Sequence, residues 1–179
     1  MTDRTDLWLF AYGSLLWDPG FEPARSVRAR LDGWRRSFCM WSFHYRGTEE
    51  RPGLVLALDE DAGAFCEGVA LKVEPERRDE VLDKVRSREL VSDAYEERWL
   101  SVTLTDGQAV TAVTYVVRRD HRQYASVDLD TQARTIVEAR GLRGRNMEYL
   151  SNTAAQLLRL GIQDAQIEAL IERTRSLAS

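Results

Sequence analysis

The order of patterns along the chain predicts an α+β fold: a small mixed β-barrel or curved sheet flanked by helices, with a helical C-terminal third from about residue 130. Three observations predict it. The first half is a run of apolar, strand-like stretches joined by short turns, with no alternating strand–helix–strand pattern. One helical stretch is inserted after Pro75, and beyond Asp120 the apolar spacing becomes helical. At 179 residues the chain is expected to form a single domain, 1–179, able to bury a core without a disulfide or metal staple.

Trp8, Leu9 and Phe10 are good strand formers and open the first strand. Tyr12-Gly13-Ser14-Leu15 breaks it, and Asp18-Pro19-Gly20 is a second turn signal. Ala24–Leu31 is arginine-rich. Gly33–Phe43 reads as a strand whose Trp34, Phe38, Trp41 and Phe43 supply core area. A polar loop runs from Arg46-Gly47 to Pro52-Gly53, and Leu54–Leu58 then has the unbroken apolar character of a buried strand. Asp59–Gly63 reads as a turn and Ala64–Val73 as the returning strand. Pro75 suits the first position of a helix, where its missing N–H has no partner to lose. Val81, Leu82 and Val85 give that helix one apolar face before it reaches Ser87-Arg88-Glu89-Leu90. Trp99–Thr105 and Val110–Val117 form a hairpin across Asp106-Gly107. Asp130 or Thr131 is placed to cap a helix running to about Arg140 and closed by Gly141. Asn146–Leu160 is a second helix, closed by Gly161, and Asp164 caps a third with Ile167, Leu170 and Ile171 on its apolar stripe.

Composition narrows the function classes. The chain is 44% hydrophobic and 30% charged, an ordinary globular balance. A net charge of -4 counts against nucleic-acid or anionic-membrane surfaces, which need a basic stripe. Cys39 and Cys66 form no Cys-x-x-Cys and read as buried small hydrophobes in a reducing compartment. With only His44 and His121, no zinc-ligand spacing is present. Met-Thr-Asp-Arg-Thr-Asp is polar, the apolar run after it is too short for a signal peptide, and no stretch has membrane-span length. The expectation is a cytoplasmic protein.

Two places carry candidate chemistry. A strand that runs into the Gly13-Ser14 turn leaves backbone N–H groups unpaired, a concavity suited to a carboxylate or oxyanion. The same pair also reads as an ordinary turn. Ser14 lacks the second glycine of a nucleophile elbow, so it reads as a hydrogen-bonding hydroxyl rather than a nucleophile. Among the many carboxylates, Glu76, Glu80, Asp83, Glu96 and Glu97 look like solvated faces. Glu89 differs, because it falls where helix gives way to loop beside Leu90-Val91. Walled by apolar neighbours, a glutamate there would have its pKa raised toward neutrality.

These stretches also carry a resemblance. Phe10-Ala11-Tyr12-Gly13-Ser14-Leu15-Leu16-Trp17 resembles the N-terminal signature of the ChaC family, the glutathione-specific γ-glutamylcyclotransferases. Arg88-Glu89 after a helix, with Tyr95 downstream, is similar to that family's catalytic-glutamate segment, and Gly144-Arg145-Asn146-Met147-Glu148-Tyr149-Leu150 to its C-terminal signature. Pro52-Gly53 and Gly68-Val69-Ala70 match in order. The sequence departs after Arg88-Glu89, where Leu90–Tyr95 replaces the glycine-rich stretch of many members and is closer to the bacterial ones.

The resemblance implies a γ-glutamylcyclotransferase-like fold and cleavage of glutathione into 5-oxoproline and Cys-Gly, by attack of the substrate's own α-amine. It implies Glu89 as the general base and acid. Ala11, Tyr12, Gly13, Ser14, Leu15 and Leu16 are implied as the cradle for the γ-glutamyl group. Tyr149 is either a substrate contact or a core tyrosine. No cofactor and no metal are implied, and the expected partner is a small γ-glutamyl peptide, with neither nucleic acid nor membrane. The alternatives are a same-fold cyclotransferase for other γ-glutamyl amino acids or γ-glutamylamines, and a non-catalytic binding or regulatory module. Arg88 and Arg145 read as surface charges or as partners of the substrate's glycine carboxylate.

Overall fold

The computed structural model describes residues 6–179; residues 1–5 of the polar N-terminus discussed above lie outside the described residues. The chain divides into two compact units, one of the residues up to Arg36 with Leu58–Arg118, the other of Ser37–Ala57 with Arg119–Ser179.

The first unit holds a closed mixed barrel in the order β1–β3–β2–β4–β5. Its strands are β1 (Leu7–Ala11), β2 (Arg25–Ser42), β3 (Gly53–Val73), β4 (Tyr95–Leu104) and β5 (Ala109–Val117). β2 and β3 are long enough to contribute to both units. β1 is buried throughout; it runs antiparallel to β3, with Ala11 opposite Val69, and parallel to β5, with Trp8 opposite Ala112. β4 and β5 pair as the expected hairpin, and Gly107 at φ 88 supplies the left-handed turn residue between them. This register puts the end of β1, the end of β5 and the start of β4 on one rim. Helix α1 (Arg78–Glu89), entered through a 3-10 turn at Pro75–Arg77, buries Val81, Leu82 and Val85 and delivers Glu89 to that rim.

Two strand boundaries differ from the sequence reading. Gly33 does not start a strand but sits inside β2 at φ 85, where glycine lets the strand continue through a left-handed residue. Asp59–Gly63 is not a turn, since β3 passes straight through it. Asp59 is buried and pairs with Arg35 of β2 at 3.5 Å, so its polarity serves a cross-strand ion pair.

In the second unit, α2 (Leu129–Glu138), α3 (Asn146–Arg159) and α4 (Ala165–Ala178) pack on one another through residues such as Ile136, Leu150, Leu157, Ile167 and Leu170. The cap of α2 is Asp128, which accepts from Thr131 N–H at 2.8 Å, rather than Asp130 or Thr131. The helix also ends before Arg140, because Arg140–Gly141 (β6) pairs with Gly144–Arg145 (β7) in a small ribbon. Asp164 caps α4 as expected, accepting from Ile167 N–H at 3.1 Å. Cys39 and Cys66 are both buried and unbonded to each other. No helix among the described residues is long and apolar enough to cross a membrane.

Candidate active site

The loop after β1 is held at both ends of Tyr12. Its hydroxyl donates to the carbonyl of Tyr115 on β5 at 2.7 Å, and its carbonyl accepts from Arg36 Nε at 2.8 Å. Arg36 is itself buried and also donates to the Glu67 carbonyl. Buried groups bonded in this way have little freedom to shift. Ser14–Leu16 then forms a single 3-10 turn, with Leu16 N–H on the Gly13 carbonyl at 2.9 Å and Leu15 buried as its anchor. The leading N–H groups of such a turn have no partner inside it. Among the described residues no acceptor meets the N–H of Ser14 or Leu15. Gly68 of β3 lies against this strand end: a Cβ there would collide with the Ala11 carbonyl and the Phe10 ring. That close approach is the physical reason for glycine in the Gly68-Val69-Ala70 stretch.

Glu89 is the last residue of α1, with only 14% of its side chain exposed. Burial pushes its carboxyl above the ordinary carboxylate range, and the Arg88 guanidinium, with Nε 3.6 Å from Oε1, pulls less strongly the other way. The source of the burial differs from the sequence reading. Leu90 and Val91 are exposed and form no wall. The glutamate instead shares the rim with Tyr115, close enough that its charge helps raise the tyrosine's pKa; burial is the largest cause of that rise and Glu97 the next. Tyr115 donates to Glu97 Oε2 at 3.0 Å, and Arg86 grips both Glu97 oxygens at 2.9 Å each, holding that carboxyl below its usual range.

Arg88 ties the two sequence-predicted stretches together. Its Nη2 donates to Ser14 Oγ at 2.9 Å, and its Nη1 donates to the Asp18 carbonyl at 2.5 Å. Because Ser14 Oγ accepts here, its own proton remains available to donate, which matches a supporting role rather than a nucleophilic one. Sequence reasoning read Arg88 as a surface charge or as a partner of the substrate's glycine carboxylate and missed its bonds to the Ser14 loop, and it passed over Arg36, Arg86, Glu97 and Tyr115. Alternation along β4 and β5 could have placed Glu97 and Tyr115 in register, but nothing in the chain order marks which arginines fold inward.

The C-terminal signature lies in the second unit. Asn146, fully buried, accepts from Leu54 N–H at 2.7 Å and donates to the Leu54 carbonyl at 2.8 Å. A Cβ on Gly53 would strike the Asn146 amide and the Arg46 carbonyl, which explains glycine after Pro52. The Tyr149 hydroxyl accepts from Leu56 N–H at 3.2 Å, and its ring meets Phe38 edge-on at 5.8 Å. These bonds give Tyr149 a place in the packing of this unit, and Tyr149→Phe tests the substrate role read from the sequence. Loss of the bond from Leu56 N–H should cost about 0.5–1.5 kcal/mol, visible as a lower Tm. A rise in KM alongside assigns Tyr149 a substrate contact; an unchanged KM confines it to packing. Among the described residues no group of three or more His, Cys, Asp or Glu is placed to hold a metal ion.

Compared with known proteins, residues 7–177 match the family described as ChaC-like protein. The chain is 34% identical to a glutathione-specific γ-glutamylcyclotransferase of Escherichia coli (strain K12), over 98% of this chain and 75% of that one. It is 33% identical to glutathione-specific γ-glutamylcyclotransferase 1 of Rattus norvegicus, over 98% and 81% respectively. Its fold matches the crystal structure of a yeast γ-glutamylcyclotransferase specific to glutathione, with a TM-score of 0.85, 22% identity and 96% of each chain covered. The match takes in the Tyr12–Leu15 loop, Glu89, the Asn146–Leu150 helix start and all five barrel strands in one continuous span, and the chain belongs to the ChaC-like family.

Proposed function

We propose that this protein is a γ-glutamylcyclotransferase that converts glutathione into 5-oxoproline and Cys-Gly. The observation that carries the reading is a desolvated glutamate, Glu89, joined through Arg88 to the Ser14 loop on one rim of the barrel. The names of the relatives support glutathione as the substrate, and the match of residues 7–177 to one family supports reading the chain as one functional domain.

In this reaction the substrate's α-nitrogen attacks its own γ-carbonyl carbon, a five-membered ring closes, and the bond from that carbon to the cysteinyl nitrogen breaks. No water is consumed. The α-ammonium gives up two protons and the leaving nitrogen gains two, so the proton count balances. Orienting the γ-glutamyl chain in its folded conformer supplies much of the acceleration. The unpaired N–H groups of Ser14 and Leu15 and the Ser14 hydroxyl face charge that develops on the carbonyl oxygen, with Ala11, Tyr12, Gly13 and Leu16 shaping the cradle. Glu89 takes a proton from the amine and returns it to the leaving nitrogen. A carboxyl raised by burial is a better match to that task near neutrality than one at about 4.3. The two buried thiols, Cys39 and Cys66, suit a reducing, cytoplasmic setting.

The test is a product assay on the purified chain. 5-Oxoproline and Cys-Gly appearing in equal amounts from reduced glutathione, and much less 5-oxoproline from γ-glutamyl-alanine, is the expected result. Faster turnover of γ-glutamyl-alanine would move the assignment to a different γ-glutamyl donor, and no product from either would favour a non-catalytic module.

A further inference from the structure

We propose that Arg88 is the positioning residue of this site, its three guanidinium nitrogens holding the Ser14 loop, Asp18 and the Glu89 carboxylate in one fixed arrangement. This rests on the cyclotransferase reading and deepens it. Each nitrogen has its own partner: Nη2 the Ser14 hydroxyl at 2.9 Å, Nη1 the Asp18 carbonyl at 2.5 Å, Nε the Glu89 carboxylate at 3.6 Å. Ser14 and Arg88 are 74 residues apart in sequence, and this side chain bridges the loop to the glutamate that follows it. A guanidinium is planar and rigid, so fixing two of its nitrogens fixes the third. With the loop and α1 both bound to it, the cradle donors and the proton-transfer oxygen keep one separation, which is the condition for a near-attack geometry. A lysine ammonium in its place is a compact point charge and cannot span the three partners.

The charged and titratable groups around Glu89 define what the substitution should do to the pH profile. They are Arg88 on its own helix, Tyr115 from β5, Glu97 from β4 with its partner Arg86, and Asp18 beyond the loop, its carboxylate 3.8 Å from Arg88 Nη1. Of these, Arg88 is the cation in contact with Glu89. Its loss disfavours the carboxylate form, so the base becomes available only at higher pH. A side chain that merely stabilised the fold would leave that profile in place.

The experiment measures kcat/KM for glutathione across about pH 5–9 in wild type, Arg88→Gln and Arg88→Lys, with circular dichroism confirming the fold. Expected for Arg88→Gln is a loss of about 10–100-fold and an acid limb displaced to higher pH. Arg88→Lys is expected to keep the acid limb near the wild-type position while recovering only part of the rate, and it carries the test should the glutamine variant not fold. Wild-type rate and profile in Arg88→Gln, or full recovery of rate by lysine, overturns the positioning role while leaving the cyclotransferase reading intact. A wild-type protein that makes no 5-oxoproline overturns both.

Discussion

Replacing Glu89 by Gln is expected to lower kcat for 5-oxoproline formation about 10²–10⁴-fold while leaving the protein folded. The amide keeps the shape of the carboxyl but neither accepts a proton from the α-amine nor returns one to the leaving nitrogen. Its effect on stability has a definite sign. Burial raises the folded-state pKa of Glu89 above its unfolded value, so the folded protein holds this proton more tightly than the unfolded chain does. That contribution is full below the ordinary glutamate range and is lost as pH rises through the folded pKa, where the desolvated carboxylate must ionise. A neutral glutamine escapes this loss. The contact that glutamine gives up, to an Arg88 nitrogen 3.6 Å away, is a long one. Glu89→Gln should therefore melt above wild type at pH 7 and converge with it in acid. A product assay and melting curves at both pH values check the two halves separately. Near-wild-type turnover removes Glu89 from the chemistry, and a lower Tm at pH 7 removes burial as the source of its shifted pKa.

The largest effect on stability is expected from Asn146→Ala. This side chain occupies both hydrogen-bonding groups of Leu54, a fully buried residue. Alanine takes this partner from an N–H and a carbonyl in the core, at about 1–3 kcal/mol each. For a chain of this size each kcal/mol is worth about 2–4 °C in Tm. The loss should track temperature: at low temperature the folded fraction keeps a glutathione KM close to wild type. A variant that melts with wild type would show that the strand relaxes to bond elsewhere, and a raised KM without a melting change would move Asn146 into the substrate site.

These two residues show what was legible beforehand. The α+β class, the hairpin at Asp106-Gly107 and the cap at Asp164 depend on local periodicity and turn chemistry, which a sequence displays directly. Glu89 was legible as a candidate because its position at a helix end and its motif are both local. The reason for its burial was not, since the neighbours in sequence, Leu90 and Val91, turn outward. Asn146 shows the opposite failure. Its signature was visible, but its partner Leu54 lies 92 residues away, and only strand register reveals that the amide completes a β-strand's bonding. The turn expected at Asp59–Gly63 failed for a related reason: β3 continues through it, and the buried Asp59 carboxylate finds the half-exposed Arg35 across the strands. Long-range pairing decided these three cases.

The bond from Tyr12 to Tyr115 spans 103 residues and joins the loop after the first barrel strand to the last strand. Contacts of that sequence separation form late, because the loop they close must first lose its freedom. Helix α1 and the β4–β5 hairpin need only their neighbours, and neither waits on that bond. The Ser14 loop does: a chain that stops before Tyr115 lacks the carbonyl that holds Tyr12, and the turn that follows it has no anchor on β5.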